Sequence, residues 1–156
     1  MTTKITKSNK VFEDEAIFTQ AFSSRSYSAS TENIEVSVWP EFLDSKSSVI
    51  GDLFVWAYHV RIDNHSDKSV QLISRYWRII DEQGVVQEVK GDGVIGEQPT
   101  IAPGGSYQYS SGVHLRYPSG IMNGRYEMKN ISDQKNFEVE IPTFSLDVPT
   151  IKGVVN

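Results

Sequence analysis

One stretch of the sequence decides its fold: Phe54-Val55-Trp56-Ala57-Tyr58-His59-Val60-Arg61-Ile62-Asp63. Large apolar side chains occupy every second position, and most of the intervening positions are small, polar or charged. Successive side chains of a β-strand point to opposite faces, so this alternation predicts a strand with one aromatic face buried in a core. A slip of one residue would turn that whole face toward water, so the pairing of the strand is strongly specified.

The segments on either side have the same two-residue period. Residues 34–38 alternate strictly, and Pro40 is expected to end that strand because proline has no N–H group for a β-ladder. Residues 70–80 are expected to be the partner of the aromatic strand. Their apolar positions change phase midway, which predicts a β-bulge near Ser74 and Arg75.

Four more strands complete the pattern, and a hairpin loop precedes the first of them. Residues 81–84, Asp-Glu-Gln-Gly, are typical of a hairpin loop with glycine at a positive φ. The four strands are residues 85–90, 106–113, 125–129 and 137–141. About seven short strands without a helix predict an all-β fold, an antiparallel β-sandwich of the immunoglobulin or fibronectin type III kind.

The turn before residues 106–113 favours the same fold. Ile101-Ala102-Pro103-Gly104-Gly105-Ser106-Tyr107 resembles the fibronectin type III turn, in which an apolar residue, proline and glycine precede a tyrosine that enters a strand. In a tyrosine corner the hydroxyl bonds to the backbone just upstream. We therefore expect Tyr107 to make such a bond.

The chain has 156 residues, the length of a single domain. We expect the β-sandwich to occupy residues 31–148, between an N-terminal tail of residues 1–30 and a C-terminal tail of residues 149–156. The N-terminal tail is polar and ends in a serine-rich, linker-like segment, so we expect it to be disordered or to form a short helix. Such a helix would carry three apolar side chains on one face: Val11, Phe18 and Phe22.

The overall composition excludes several kinds of site. The chain has no cysteine, which excludes disulfides, thiolate zinc sites, iron–sulfur clusters and a cysteine nucleophile. Its net charge of -5 disfavours nucleic acid binding by the surface as a whole. No apolar run is long enough for a secretory signal or a membrane-spanning helix. We therefore expect a cytoplasmic protein that binds no membrane and does not bind nucleic acid through its surface as a whole.

A glycine motif of the form GxGxxG occupies Gly91, Gly93 and Gly96. In a dinucleotide-binding site this motif opens a helix whose N-terminus faces the pyrophosphate. Pro99 and Pro103 follow too closely for such a helix, so the Rossmann interpretation fails and the segment is predicted to connect strands.

Two interpretations of the glycine motif remain. The glycines serve positive φ values and close backbone packing, or their N–H groups form a nest that binds an anion. Lys90 would favour a bound anion, whereas Asp92 and Glu97 would oppose it.

The sequence offers no catalytic motif. His59, His65 and His114 lack the spacing of a metal-binding pair, and no HExxH or calcium-loop motif occurs. Ser110-Ser111-Gly112 lacks the context of a nucleophile elbow. We predict no enzymatic activity, no cofactor and no metal site; the alternative is a hydrolase whose carboxylate pair the sequence does not single out.

Binding residues are easier to nominate. Arg75 and Trp77 are expected to share a face, with His59 and Arg61 on the neighbouring strand. Arginine and tryptophan are enriched at binding hot spots, which makes this face a candidate surface for a protein partner. The alternative is that Trp77 belongs to the core and Arg75 is a solvated or salt-bridged charge.

Several separated motifs resemble the ApaG family. They are residues 70–79 (VQLISRYWRI), 91–99 (GDGVIGEQP), 110–112 (SSG), 120–128 (GIMNGRYEM) and 137–144 (FEVEIPTF). The resemblance covers residues 34–146. It departs from the family at residues 113–118 (VHLRYP), where the usual members carry a small residue and proline before the leucine and threonine before the later proline.

The resemblance implies a fibronectin type III-like sandwich in a bacterial cytoplasmic protein associated with cobalt and magnesium resistance or efflux. It also implies no established catalytic activity. Related eukaryotic domains, in an F-box protein and in a DNA-polymerase-interacting protein, look like protein-binding modules.

We therefore expect a non-enzymatic interaction module with an unidentified protein partner. The alternative is a sensor of a small anion (phosphate, pyrophosphate or nucleotide) or of a divalent ion at the glycine-rich loop. The predicted binding residues are Arg75, Trp77, Gly91, Gly93, Gly96, Glu97 and Gln98. A further alternative is a homodimer in which edge strands of two copies pair with each other.

Overall fold

Two antiparallel sheets make up the fold. The computed structural model describes residues 26–149, which contain nine strands and one turn of 3-10 helix, Asp44–Lys46. No helix within residues 26–149 could cross a bilayer. The first sheet has the order β1-β2-β3-β7, with bounds Tyr27–Thr31, Ile34–Phe42, Phe54–Asn64 and Ser106–Leu115. The second has the order β5-β4-β8-β9, with bounds Val86–Asp92, Val70–Asp81, Ser119–Asn130 and Asn136–Asp147, and β6 (Thr100–Ile101) also pairs with β4.

The prediction of an all-β antiparallel sandwich is confirmed, with nine strands in place of about seven. The two additional strands are β1 and β6. The sequence of β1, Tyr-Ser-Ala-Ser-Thr, is typical of a linker, but the segment pairs with β2. β6 is too short to show a two-residue period. β1 begins at Tyr27, within the predicted N-terminal tail. The rest of that tail, with the helix considered for it, lies outside the described residues, as do residues 150–156.

β3 is the strand that the opening stretch of sequence predicts. Every second residue from Phe54 to Asn64 is buried, and the buried side chains include the whole predicted aromatic face. The neighbours of β3 are β2 and β7, so the prediction that residues 70–80 pair with it is wrong. The chain leaves β3 and crosses to the opposite sheet, where β4 begins.

Asn64 holds this crossing in place. Its side chain is fully buried, and its Nδ2 donates to the carbonyls of Lys68 and Ile101 at 2.8 and 2.9 Å. Its Oδ1 accepts the N–H of Ser66 at 2.9 Å. The amide thus satisfies backbone groups that have left the sheet, which is why a short polar turn can lead to a different sheet instead of a hairpin.

A β-bulge in β4 is confirmed. The register between β4 and β8 shifts between Leu72 and Ser74, at the start of the predicted position. The extra residue lets Val70 and Leu72 before the bulge, and Trp77 and Ile79 after it, all face the core.

The two predictions about strand ends have opposite outcomes. The hairpin loop after β4 is confirmed, with Gly84 at a φ of +85°. The prediction that Pro40 ends its strand is wrong, because β2 continues for two more residues. Bonded pairs alternate along the ladder from the Leu43 N–H to Val55 carbonyl bond, so the nitrogen of Pro40 faces away from β3. On that side β1 pairs only as far as Val38, and no donor is needed.

Aromatic side chains from both sheets meet in the core. The ring of Trp77 lies 5.1 Å from that of Tyr58 and 6.0 Å from that of Phe144, both edge-on. Tyr109 of the first sheet and Tyr126 of the second are buried, and their hydroxyls share a hydrogen bond. This bond links the two sheets through the core.

The two lateral sides of the sandwich differ. On one side β1 lies against β9: the N–H of Glu140 donates to Thr31 Oγ1 at 3.1 Å, and the hydroxyls of Tyr27 and Ser145 are 3.2 Å apart. On the other side β5 and β7 are the outer strands, and neither pairs with a further strand within residues 26–149. We call this second side the open side.

Trp56 provides a test of the core. It is 1% exposed, and its Nε1 donates to the carbonyl of Asp147 at 2.9 Å. Trp56→Ala leaves a cavity and an unpaired carbonyl, so we expect the free energy of unfolding to fall by about 3–5 kcal/mol in chemical denaturation. Trp39→Ala, which removes an indole from the opposite face of the same sheet, should lose less. A fall below about 1 kcal/mol for Trp56→Ala would contradict its burial in the core.

Buried tyrosines make the fold sensitive to alkaline pH. Burial raises the pKa of Tyr58, Tyr109 and Tyr126 above its usual value of 10. Burial and the neighbouring Glu97 carboxylate raise the pKa of Tyr107 to about 12. Above pH 10 the unfolded chain binds fewer protons than the folded protein, so the free energy of unfolding falls as the pH rises from 10 through about 12.

An ultraviolet titration of the phenolate absorbance, run in parallel with circular dichroism, checks this expectation. We expect the three buried tyrosines, Tyr58, Tyr109 and Tyr126, to ionise only as the protein unfolds. The double variant Tyr109→Phe/Tyr126→Phe removes two of the groups, and its stability should decline less over the same pH range. Ionisation of every tyrosine in a protein that retains its native spectrum is the contradicting result.

Candidate functional site

A cleft opens between the two sheets on the open side. Its volume is about 360 Å³, and a smaller space of about 150 Å³ shares part of its lining. The lining residues come from β3, β4, β7 and the loop after β5: Tyr58, Arg75, Trp77, Val94, Ile95, Tyr109 and Ser111. We call it the lateral cleft. Of the predicted binding residues, Arg75 and Trp77 line it.

Arg75 crosses from β4 over the outer strand. Its Nη1 donates to the carbonyls of Asp92 and Gly93, at 3.1 and 2.9 Å. The guanidinium lies directly over Gly91, where a Cβ atom would be 2.7 Å from Nη1. The absence of a side chain at Gly91 therefore leaves room for the Arg75 guanidinium. A larger residue at this position of β5 would displace the guanidinium.

The charge of Arg75 is uncompensated. No carboxylate between residues 26 and 149 lies within ion-pair distance of it. Arg75 is also the one charged side chain among the described residues that line the lateral cleft. The described lining of the cleft therefore carries one positive charge, in a chain whose net charge is -5.

Trp77 lies at the boundary between core and cleft. It is 2% exposed, which agrees with the alternative that it belongs to the core, but it also lines the cleft. Its Nε1 has no hydrogen-bond acceptor within residues 26–149. A buried donor without an acceptor costs about 1–3 kcal/mol, which makes this indole N–H the unusual group of the site.

Hydroxyl groups complete the polar part of the cleft. Tyr58 and Ser111 are partners on β3 and β7, and both line the cleft. Burial raises the pKa of Tyr58, even though Ser111 and then the Arg75 charge partly offset that rise. The phenol is therefore neutral at physiological pH and can donate a hydrogen bond.

The glycine-rich loop forms a tight turn. Val94 and Glu97 exchange both backbone hydrogen bonds, at 2.8 and 2.9 Å, and the residues between them, Ile95 and Gly96, have φ values of +48° and +76°. Gly93 has a φ of +61°, and a Cβ there would be 2.1 Å from the carbonyl of Glu97. No helix follows, which agrees with the rejection of the Rossmann interpretation. The interpretation of positive φ and close packing accounts for this geometry.

Glu97 and Gln98 attach the loop to both sheets. The hydroxyl of Tyr107 donates to the Glu97 carboxylate at 3.3 Å, which joins the loop to β7. The prediction of a tyrosine corner is wrong, because the Tyr107 hydroxyl donates to the Glu97 side chain and not to the backbone just upstream. Gln98 Nε2 donates to the carbonyl of Ile73 at 2.9 Å, and its own carbonyl accepts from Gln71 Nε2 at 3.0 Å.

The expectation that His59 and Arg61 lie on the strand next to Arg75 is wrong. They occupy β3, whose sheet is opposite that of β4, and they alternate with its buried residues. His59 Nδ1 is 2.6 Å from Ser110 Oγ, and its Nε2 is 3.0 Å from Glu41 Oε1. Sequence reasoning missed this group because strand register, not sequence spacing, brings the three residues together.

The His59 group has the order of a nucleophile, a base and an acid. A hydrolase also needs a substrate pocket and oxyanion donors beside the nucleophile. The lateral cleft lies on the opposite face of this sheet, and a groove of about 440 Å³ over Tyr76, Lys90 and Arg125 lies on the other sheet. We therefore interpret the group as a hydrogen-bonded surface cluster.

The chain is similar to known proteins in both sequence and fold. A protein-family model described as the ApaG domain matches residues 44–130. Protein ApaG of Brucella suis biovar 1 is 54% identical over 130 residues, which are 83% of this chain and 99% of that protein. Protein ApaG of Mesorhizobium japonicum is 51% identical over the same shares of both chains. A crystal structure described as an ApaA protein from Bordetella pertussis has a TM-score of 0.73 at 41% identity, covering 76% of this chain and 95% of that one. These matches confirm the resemblance seen in the sequence, and the chain belongs to the ApaG family.

Proposed function

We propose that the chain is a non-enzymatic module that binds a protein partner on its open side, where an extended segment of the partner adds a strand to β5. The observation that carries this proposal is the exposure of β5, a seven-residue outer strand whose second edge pairs with no other strand within residues 26–149. Outer strands with free N–H and C=O groups pair readily with another chain, and most proteins shorten or cover them.

The hydrogen-bond phase of β5 defines which of its groups are free. The N–H of Gly93 donates to the carbonyl of Ile73 at the end of the β4–β5 ladder. Bonded pairs alternate along an antiparallel ladder, so the N–H groups of Glu88 and Lys90 point away from β4. These two residues would exchange backbone hydrogen bonds with the partner strand.

Apolar side chains accompany the free backbone groups. Val86 and Val89 of β5 are 44% and 39% exposed, and Val85 just before them is 58% exposed. A partner strand that covered them would bury apolar area in addition to making backbone bonds. The opposite lateral side offers no such edge, because β1 and β9 lie against each other there.

Several of the predicted binding residues hold β5 and the loop after it in position. Arg75 crosses β5 at Gly91, and Glu97 and Gln98 attach the following loop to both sheets. In the proposal these residues position the edge and the cleft. Gly96, at the tip of the loop with open space around it, would contact the partner itself.

The anion sensor at the glycine-rich loop has no observation in its favour. A nest requires free N–H groups, and those of Gly93, Val94 and Glu97 already donate to carbonyls of the protein. For a divalent ion, the described residues contain no cluster of three or more His, Asp or Glu side chains that could hold a metal.

The cellular setting is part of the same proposal. The family association with cobalt and magnesium resistance would be exerted through the partner, in the cytoplasm. Family membership and a chain without cysteine support this setting.

Proline substitution at Lys90 tests the strand addition. Lys90→Pro removes an N–H group that faces away from β4, and an outer strand tolerates proline at such a position. Lys90→Ala removes the charge of the side chain and keeps the N–H group. We expect affinity capture from the source cells, quantified by mass spectrometry, to retain the partner with the wild-type chain and Lys90→Ala. Lys90→Pro should retain it about tenfold less.

Two measurements guard the interpretation of this experiment. Chemical denaturation of all three proteins must give similar free energies of unfolding, which shows that the proline acts on the edge alone. Sedimentation must also find the wild-type chain monomeric. A dimer that Lys90→Pro dissociates would mean that β5 pairs with a second copy of this chain, which would contradict the proposal of a different protein as partner. Equal capture by the three proteins rejects the proposed edge.

A further inference from the structure

We propose that the lateral cleft is a binding site for a small organic carboxylate, which would pair with Arg75 and pack against Trp77. The ligand would have one negative charge and an apolar body. The site is independent of strand addition to β5, since it lies between the sheets and uses side-chain donors.

The charge in the cleft selects an anion. Arg75 is the one charged group among the described lining residues, and no carboxylate in residues 26–149 pairs with it. Its Nη1 is used by the carbonyls of Asp92 and Gly93, and no acceptor within those residues contacts its Nε or Nη2. A guanidinium fixed through one nitrogen leaves the other two to bind a carboxylate.

Trp77 provides an aromatic surface beside this charge. The residue lines the cleft although it is only 2% exposed. Its Nε1 is buried and has no acceptor among the described residues. A ligand that packed against the ring would change the surroundings of this N–H group.

The size and lining of the cleft define the rest of the ligand. A volume of about 360 Å³ lies in the range of small-molecule pockets, which are about 300–1,000 Å³. The walls around the donors are apolar or aromatic, including Val94, Ile95 and Tyr109. One cation and an apolar wall suit a monoanion with a hydrocarbon or aromatic body, whereas inorganic phosphate would leave its other oxygens against apolar surface.

Benzoate is a suitable probe, with benzamide as its neutral equivalent and inorganic phosphate as the purely ionic one. The full chain, labelled with nitrogen-15, is titrated with each while the indole N–H signals are recorded, and the Trp77 signal is assigned by its loss in Trp77→Phe. We expect benzoate to shift the Trp77 signal saturably, and benzamide and phosphate to leave it in place.

Substitutions at Ile95 test the role of charge without removing Arg75. Ile95 has a φ of +48°, a conformation that Asp and Asn adopt more readily than a β-branched residue, so both variants should fold. Ile95→Asp places a carboxylate at the cleft, where it competes for Arg75, and we expect benzoate binding to weaken by about tenfold or more. Ile95→Asn has the same size without the charge and should bind benzoate nearly as the wild type does.

Three results would overturn the proposal. They are an unmoved Trp77 signal at a benzoate concentration of tens of millimolar, an equal response to benzamide or phosphate, and equal weakening by Ile95→Asp and Ile95→Asn. Lys90→Pro should not change benzoate binding, so this site and the partner edge can succeed or fail separately.

Discussion

Burial of the inner face of β3 is the constraint on which the rest of the fold depends. Its alternate residues, from Phe54 to Ile62, face the opposite sheet, and β2 and β7 pair with it on either side. Each large side chain buried contributes on the order of 1.5–3 kcal/mol, so no other register competes. The position of β3 then fixes that of β7, whose free edge forms one border of the lateral cleft.

The open side depends on a second constraint, the crossing of Arg75 over Gly91. A charged side chain leaves the inner face of one sheet, passes over the outer strand and is held by two backbone carbonyls. This contact joins β4, β5 and the glycine-rich loop, and it places an unpaired positive charge beside a buried indole. The same contact therefore positions both the edge proposed for a partner strand and the cleft proposed for a carboxylate.

Sequence reasoning predicted features whose cause is local. The aromatic face of β3, the bulge of β4 and the positive φ of Gly84 follow from alternation and turn chemistry within a few residues. It failed where pairing decides the outcome. Pro40 stays within β2 because β1 has already ended beside it, and serine-rich β1 becomes a strand through its neighbour.

The candidate site shows the same division. The common face of Arg75 and Trp77 follows from their spacing, and it is confirmed. The cleft could not be predicted, because it requires knowing that β5 and β7 are outer strands on the same side. The expected proximity of His59 fails for the related reason that the chain changes sheets between β3 and β4.

A double-mutant cycle of Arg75 and Gly91 tests the central claim most directly. A Cβ at position 91 would meet the guanidinium of Arg75 and nothing nearer, so Gly91→Ala should displace that side chain from its two carbonyl acceptors. We expect Gly91→Ala to lower the free energy of unfolding by about 1–2 kcal/mol in the wild-type chain and to have no such effect in Arg75→Ala. An equal effect of Gly91→Ala in both backgrounds would contradict the claim that the arginine lies over this glycine.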